Sequence, residues 1–340
     1  MKVALIGNGM IAGEHRKAYR RLRENGSDVE LVAICDIRPE RRAEEYSDGA
    51  RVYASLDELL EKESDLDYAD ICLPTFLHAE YAKRCMLAGL NVLCEKPMAL
   101  TVAEAQSMLD CSYKTGKRLM IAHSSRFLNQ HQTIRQFIKE GRFGKPTSAF
   151  INAADGFPRH GWNNWFADDR LSGGAMLDLQ AHHIDLFGSW FGTPRAVSTV
   201  AMERGDFKGY SSVSANLIYG DGLFGHIWTD WSVSKNRYNN RTVRVNFERG
   251  YLCLLNHDQP DGIVTMDCEG NQSVLARVTL FRPDTPSYYN EIEYYTNCLK
   301  SGEPFDLCPP EESIRVVKIM RAEERSANEG GSHVDLMWGD

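Results

Sequence analysis

The fold of the amino-terminal half is decided by the stretch Val3-Ala4-Leu5-Ile6-Gly7-Asn8-Gly9-Met10-Ile11-Ala12. A short apolar run predicts a buried strand, and it leads directly into a Gly-x-Gly-x-x-Ala turn that opens a helical pattern. Gly7 allows the tight turn, Gly9 lets the backbone approach a pyrophosphate, and Ala12 lets the helix pack closely on the strand. Because a helix N-terminus attracts anions, the pattern predicts a dinucleotide-binding turn. A merely compact turn without a ligand is the alternative.

The carboxylate of Asp36 ends the next predicted strand, where such a group binds the ribose hydroxyls of NAD. A carboxylate there repels the 2′-phosphate of NADP, so we expect NAD. Arg38, Arg41 and Arg42 keep NADP possible, because nearby arginines can offset that repulsion, although they could equally begin a solvated helix. The residues predicted to bind the cofactor in this region are Gly7, Asn8, Gly9, Met10, Ile11, Asp36 and Arg38.

Two domains are predicted from the 340 residues. Apolar runs alternate with helical patterns at residues 3–7, 31–35, 51–54, 69–73, 91–94 and 119–122. Runs this continuous suit strands buried on both faces, so we expect a doubly wound α/β Rossmann domain over residues 1–124.

Later runs alternate around glycine turns and predict hairpins of a mainly antiparallel sheet. We expect an α+β domain over residues 125–340, whose C-terminal helix, residues 311–328, could pack back on the first domain.

Composition excludes several classes of protein. The net charge of −8 argues against a nucleic-acid partner. No run of about 18 apolar residues occurs, so no membrane span is predicted. The nine cysteines are odd in number and none form a Cys-x-x-Cys pair, so we predict neither a disulfide framework nor a metal site. With no signal-peptide pattern after Met1, we expect a cytoplasmic protein.

The first candidate catalytic residue is Lys96, in the segment Cys94-Glu95-Lys96-Pro97 that closes a predicted strand. Ligands of doubly wound sheets bind beyond the carboxyl ends of the strands, so Lys96 is placed to face a bound nicotinamide. Pro97 biases Lys96 toward an extended backbone. A partly desolvated lysine can exchange protons near neutral pH. A solvated ion pair at the strand end is the alternative.

A second group comprises Asp178, His182 and Asp185, whose spacings of four and three predict one face of a helix. A carboxylate beside an imidazole fixes its tautomer and stabilises its protonated form, as a general base requires. A buried structural pair is one alternative. A metal site is the other, but no third ligand is evident. His183 points elsewhere on the helix and is expected to be structural.

Taken together, these motifs resemble the Gfo/Idh/MocA oxidoreductases, named for glucose-fructose oxidoreductase and inositol dehydrogenase. The resemblance covers nearly the whole chain and includes residues 3–12, Leu73-Pro74-Thr75 with His78, residues 88–97, and residues 173–185. It implies that Lys96, Asp178 and His182 line the active site. It also implies that the cofactor lies along Leu73, Pro74, Thr75, His78, Glu95, Lys96 and Pro97.

The resemblance further implies an open sheet in the second domain, one face of which packs against a partner subunit. A homodimer or homotetramer is therefore expected. The chain departs from the family at Gln180, where many members have glycine, and at His183. Either residue could reshape the substrate pocket.

Residues 155–166 are rich in polar and aromatic side chains, a mixture that suits a carbohydrate. Aromatic residues that merely cover the core are the alternative. The candidate substrate residues are Arg126, Asp155, Trp162, Trp165 and His182.

The predicted reaction is reversible oxidation of a ring hydroxyl of a sugar or cyclic polyol, such as an inositol, with NAD. His182 would take the hydroxyl proton, Asp178 would orient it, and Lys96 would hydrogen-bond the same oxygen. Which of Lys96 and His182 is the proximal proton acceptor stays open, as do the substrate and the direction. The alternatives are an NAD-dependent glycosidase that oxidises its substrate transiently, and a non-catalytic dinucleotide-binding sensor.

Overall fold

The chain forms two compact units. The structure, a computed structural model, describes residues 1–43, 48–203, 208–234, 240–255 and 262–338. The first unit comprises residues 1–127, 160–163 and 284–314, and the second comprises residues 128–159, 164–283 and 315–340. No helix among the described residues is both long and apolar enough to span a membrane.

A six-stranded parallel sheet forms the centre of the first unit. Its strands are β1 (Lys2–Ile6), β2 (Glu30–Cys35), β3 (Arg51–Tyr53), β4 (Tyr68–Ile71), β5 (Asn91–Glu95) and β6 (Leu119–Ala122). Their order is β3-β2-β1-β4-β5-β6, and every pair is parallel. Val3 to Ile6 have no exposed surface, since both faces of β1 are covered. The predicted Rossmann domain is confirmed.

A nine-stranded sheet forms the second unit. Its strands are β7 (Pro146–Gly156), β8 (Ala196–Met202), β9 (Ser212–Ile218), β10 (Phe224–Ser234), β11 (Asn240–Phe247), β12 (Gly250–Leu254), β13 (Ile263–Asp267), β14 (Gln272–Val274) and β15 (Val334–Asp335). Their order is β14-β13-β12-β11-β7-β10-β9-β8-β15. All described pairs are antiparallel except β7 with β10. The predicted mainly antiparallel sheet is confirmed.

Ten α-helices are described. They are α1 (Met10–Glu24), α2 (Leu56–Lys62), α3 (His78–Leu87), α4 (Val102–Thr115), α5 (Asn129–Glu140), α6 (Asp169–Ser172), α7 (Gly174–Asp178), α8 (Ala181–Phe191), α9 (Ser287–Ser301) and α10 (Pro310–Asn328). Helix α4 begins after Thr101, which forms a reciprocal capping box with Glu104.

Helix α9 corrects the predicted domain boundary. The sequence-based range of residues 125–340 is continuous, but residues 284–314 belong to the first unit. Asn25, which follows α1, donates to the Tyr289 hydroxyl at 3.0 Å, and the Tyr295 ring packs edge-on against Tyr68 at 5.1 Å. Helix α9 therefore belongs to the first unit, as do the first residues of α10. Most of the predicted C-terminal helix, α10, belongs to the second unit.

Candidate functional site

The turn between β1 and α1 requires glycine at its first position. Gly7 has φ +90°, and a Cβ there would lie 2.6 Å from the carbonyl oxygen of Cys72. At Gly9, a Cβ would meet only the Arg38 guanidinium, at 3.9 Å. Gly9 precedes α1, no described side chain caps this helix, and its first turn contains no acidic residue. The N–H groups at the start of α1 therefore fit the pyrophosphate of a dinucleotide.

Asp36 lies beside this turn at the end of β2 and is 6% exposed. Its Oδ2 accepts the Asn8 N–H at 2.8 Å, and the Arg38 guanidinium donates to both carboxylate oxygens at 2.7 and 2.9 Å. Burial opposes ionisation, but the hydrogen bonds from Arg38 and Asn8 outweigh it and hold the pKa of Asp36 below its usual range. An ionised carboxylate beside the glycine turn fits the ribose of NAD. Because Arg38 is already bound to Asp36, the positive charge of Arg38 is partly neutralised.

His78 connects the segments that follow β4 and β5. Its Nδ1 contacts the Pro97 carbonyl oxygen and its Nε2 contacts the Leu73 carbonyl oxygen, each at 2.8 Å. The structure thus brings together the predicted residues 73–78 and 95–97. His78 and Thr75 are buried, whereas Leu73 and Pro74 keep some exposed surface. The side chain of His78 therefore holds these two loops together, and the place of Thr75 and His78 along the cofactor stays a prediction.

Lys96 is half-buried and follows β5 directly. Its backbone N–H donates to Oε2 of Glu95 at 3.0 Å. The other oxygen of Glu95, Oε1, lies 3.1 Å from Nε2 of His15 on α1. Sequence reasoning missed His15. The sequence feature that could have identified it is its position on the buried face of α1, which also includes Ala12 and Leu22.

In the second unit, Asp178 and His182 do not share one helix. Asp178 ends α7 and His182 follows the first residue of α8. The N–H groups of Leu179 and Gln180 both donate to the Ala175 carbonyl, which interrupts the regular hydrogen-bond pattern. Both residues keep right-handed helical dihedrals, so the chain continues to turn in the same sense. The prediction of one continuous helix from Asp178 to His182 is therefore wrong.

The polar residues of this segment differ in how far they are buried. Asp178 and His182 are half-buried, whereas His183 and Asp185 are buried. A partly exposed carboxylate and imidazole can exchange protons with a ligand, and the fully buried pair cannot without local opening. The segment thus presents Asp178 and His182 to solvent.

Gln180, at the break between these helices, is fully buried and donates from Nε2 to Oε2 of Glu323 at 2.7 Å. Glu323 lies on α10 and has no exposed surface. Burial raises the pKa of Glu323 to about 8, and the hydrogen bond from Gln180 opposes this rise only in part. The residue that departs from the family pattern thus has a specific buried partner.

This pair predicts a pH dependence of stability. A glutamate titrates near pH 4.3 in the unfolded chain, so between that pH and about 8 the folded state keeps a proton that the unfolded state loses. The stabilising contribution is complete below about pH 4 and is lost as the pH rises to about 8. Glu323 should therefore lower the free energy of unfolding by about 1 kcal/mol per pH unit in this window.

Urea unfolding at pH 5.5 and 7.5 measures this slope. Glu323→Gln should flatten it, and Glu324→Gln, a change at a more exposed neighbour on the same helix, should leave it intact. An unchanged slope in Glu323→Gln would contradict the assignment.

Two aromatic residues of the segment 155–166, Trp165 and Phe166, belong to the second unit, as α7 does. Trp165 stacks on Phe166 at 3.9 Å, and Phe166 packs against a buried cluster that includes Leu179 and Trp231. Leu179 directly follows Asp178. Trp162 is 39% exposed, and Asp155 is half-buried at the end of β7. Phe166 thus covers the core, while Trp162 keeps a ring surface that a sugar could contact.

Arg126 is a correction to the predicted substrate residues. Its guanidinium donates to Oε2 of Glu312 at 2.6 Å and to the Leu307 carbonyl at 2.9 Å, and its side chain is 3% exposed. An arginine this enclosed serves as an internal ion pair and has almost no surface for a substrate.

The glycine turn, the carboxylate beside it and the parallel sheet define a dinucleotide-binding domain. Residues 1–123 match the oxidoreductase family with an NAD-binding Rossmann fold, and residues 131–253 match the C-terminal domain of the same family. The chain belongs to the Gfo/Idh/MocA family, which confirms the resemblance seen in its sequence.

Several relatives align over nearly the whole chain. The D-glucoside 3-dehydrogenase of Escherichia coli strain K12 is 26% identical over 99% of this chain and 97% of its own length. The inositol 2-dehydrogenase of Rhizobium meliloti strain 1021 is 26% identical over 89% of each chain. A levoglucosan dehydrogenase in complex with NADH and levoglucosan superposes with a TM-score of 0.85 at 20% identity, over 99% of both chains. This last likeness shows the shared fold.

Proposed function

We propose that this protein is an NAD-dependent dehydrogenase that interconverts a ring hydroxyl and a ketone of a sugar or cyclic polyol. The observation that carries the proposal is Lys96, which lies at the carboxyl end of β5 in a sheet whose glycine turn fits a dinucleotide. The names of the relatives, which include glucoside and inositol dehydrogenases, support a cyclic polyhydroxy substrate.

The proposed roles follow from the chemistry of each residue. When bound, NAD supplies the hydride acceptor at its nicotinamide. Lys96 donates a hydrogen bond to the reacting oxygen and stabilises the negative charge that develops there. His182 takes the hydroxyl proton, and Asp178 orients the imidazole and stabilises its cationic form.

We assign substrate recognition to polar and aromatic residues of the segment 155–166. Trp162 and Trp165 would contact C–H faces of the ring, and Asp155 would accept hydrogen bonds from hydroxyls. Exposed ring surface at Trp162 and the packing of Phe166 beside Leu179 support this proposal.

We also propose self-association through the outer face of the nine-stranded sheet. Val200 and Met202 on β8 and Phe224 on β10 are exposed apolar residues on this sheet. Covering them would remove apolar surface from water. Light scattering should give the mass of a dimer or tetramer, and a monomer at micromolar concentration would contradict this assignment.

The function is tested by the rate of NADH formation with NAD⁺ across inositols, free sugars, 1,5-anhydro sugars and simple glycosides. NADP⁺ serves as the comparison. We expect turnover with at least one cyclic polyol or sugar and a higher kcat/KM for NAD⁺, because the carboxylate of Asp36 repels a 2′-phosphate.

Each other outcome points to a different class of protein. Release of free sugar from a glycoside without net NADH would indicate the transient-oxidation glycosidase. Tight NAD binding, measured by calorimetry, with no turnover on any substrate would indicate a sensor. A higher kcat/KM for NADP⁺ would overturn the role of Asp36.

A further inference from the structure

His15 lies on α1 of the first unit and has no exposed surface. Each of its ring nitrogens faces a carboxylate. Nδ1 is 2.8 Å from Oδ2 of Asp70, and Nε2 is 3.1 Å from Oε1 of Glu95. Asp70 belongs to β4 and Glu95 to β5, so the ring connects one helix to two neighbouring strands.

The two contacts determine the protonation state of the ring. A neutral imidazole has one N–H and one lone pair, so it would leave a lone pair against one of the carboxylates. An imidazolium donates to both. Burial disfavours the positive charge, but the charge of Asp70, with a contribution from Cys72, outweighs it and raises the pKa of His15 well above its usual value.

Titratable groups from α1, β4 and α9 also surround the His15 ring. On α1, the Tyr19 hydroxyl donates to Oδ2 of Asp70 at 2.7 Å, and on β4 the Tyr68 hydroxyl donates to Tyr19 at 3.1 Å. On α9, the Tyr288 ring lies 5.5 Å from the His15 ring. Burial and nearby carboxylates, including Glu95 and the buried Glu291 of α9, raise the pKa of Tyr288, so it stays neutral. His15 is the cation at the centre of this group.

Glu95 connects His15 to Lys96 through its two carboxylate oxygens. Its Oε1 faces His15 and its Oε2 accepts the Lys96 N–H at 3.0 Å, so both carboxylate oxygens are fixed. We propose that His15, as an imidazolium between Asp70 and Glu95, is a positioning residue for Lys96. Without this cation the buried carboxylates of Asp70 and Glu95 lose their shared partner, and Glu95 no longer holds the Lys96 backbone in one place. The catalytic consequence rests on the proposed role of Lys96.

The first experiment needs no turnover and uses a variant only to assign signals. Histidine-labelled protein is titrated by ¹⁵N NMR from pH 6 to pH 9, and the His15 signals are assigned by their loss in His15→Gln. We expect both ring nitrogens to stay protonated well above the pH of about 6.5 at which a free imidazole loses its proton. A midpoint near pH 6.5, or one persistently unprotonated nitrogen, would overturn the proposal.

The second experiment measures position directly. Amide hydrogen exchange at Lys96 should become at least about tenfold faster in His15→Gln, whereas amides of β1 should be unchanged. The matched control is His333→Gln, a change at an exposed histidine near the C-terminus. Unchanged exchange at Lys96 in a folded His15→Gln would overturn the positioning role, whatever the reaction of the protein is.

The third experiment separates this proposal from the proposed function. In an active wild type, His15→Gln should lower kcat by roughly 10- to 100-fold, because small misplacements of a reacting group carry costs of this size. The KM for NAD⁺ should change by less than about threefold. A Glu95→Gln variant should not add its full effect to that of His15→Gln, since both act through one contact. Additive effects would overturn the proposal, while an active Lys96→Met variant would refute the proposed function alone.

Discussion

Lys96→Met should lower kcat by about 100- to 10,000-fold, the range expected when a group that acts on the transferred proton or its oxygen is lost. Methionine has a similar length but neither charge nor N–H donors. It therefore removes the hydrogen bond to the reacting oxygen and keeps most of the packing beside β5. The dissociation constant of NAD should change by less than about threefold, because the glycine turn and Asp36 are untouched.

Initial rates with the best substrate and calorimetry with NAD measure the two quantities separately. Lys114→Met is the matched control, because Lys114 is an exposed lysine of the same unit, on α4. Normal turnover in Lys96→Met would end the proposed mechanism. A large loss of NAD affinity would instead assign Lys96 to cofactor binding.

Gly7→Ala should impair folding, whereas Gly9→Ala should impair cofactor binding and leave folding nearly unchanged. At Gly7 the φ of +90° disfavours any side chain, and the added Cβ would lie 2.6 Å from a backbone oxygen that cannot move independently of β4. We expect the free energy of unfolding to fall by about 3 kcal/mol or more, as for other strained or overpacked buried positions.

Gly9 has an extended backbone that alanine can adopt, and its Cβ would have room. Gly9→Ala should therefore change the free energy of unfolding by less than about 1 kcal/mol. Its methyl group would occupy the space where the backbone approaches the pyrophosphate, so the dissociation constant of NAD should rise by about tenfold or more. Urea unfolding and calorimetry test both variants. Unimpaired NAD binding by Gly9→Ala would move the pyrophosphate away from this turn.

Local sequence patterns were sufficient for the elements that form the sheets. The apolar runs of the first 125 residues predicted the parallel strands, because strands covered on both faces need apolar residues at successive positions. The run before Gly7 and the aspartate after β2 likewise located the cofactor turn, since its geometry depends on residues adjacent in the chain. The family resemblance, carried by short motifs, was confirmed over both domains.

Contacts between distant residues were decided by the tertiary structure. His15 meets Glu95 80 positions away, Gln180 meets Glu323 143 positions away, and Arg126 meets Glu312 186 positions away. Periodicity reports which face of an element is buried, but it does not report which element covers that face. The sequence therefore determined the sheets, the glycine turn and the motif that contains Lys96. Only the tertiary structure showed that Arg126 is enclosed, that a helix break separates Asp178 from His182, and that His15 contacts Glu95. The reason is that burial and charge pairing depend on the packing of segments far apart in the chain.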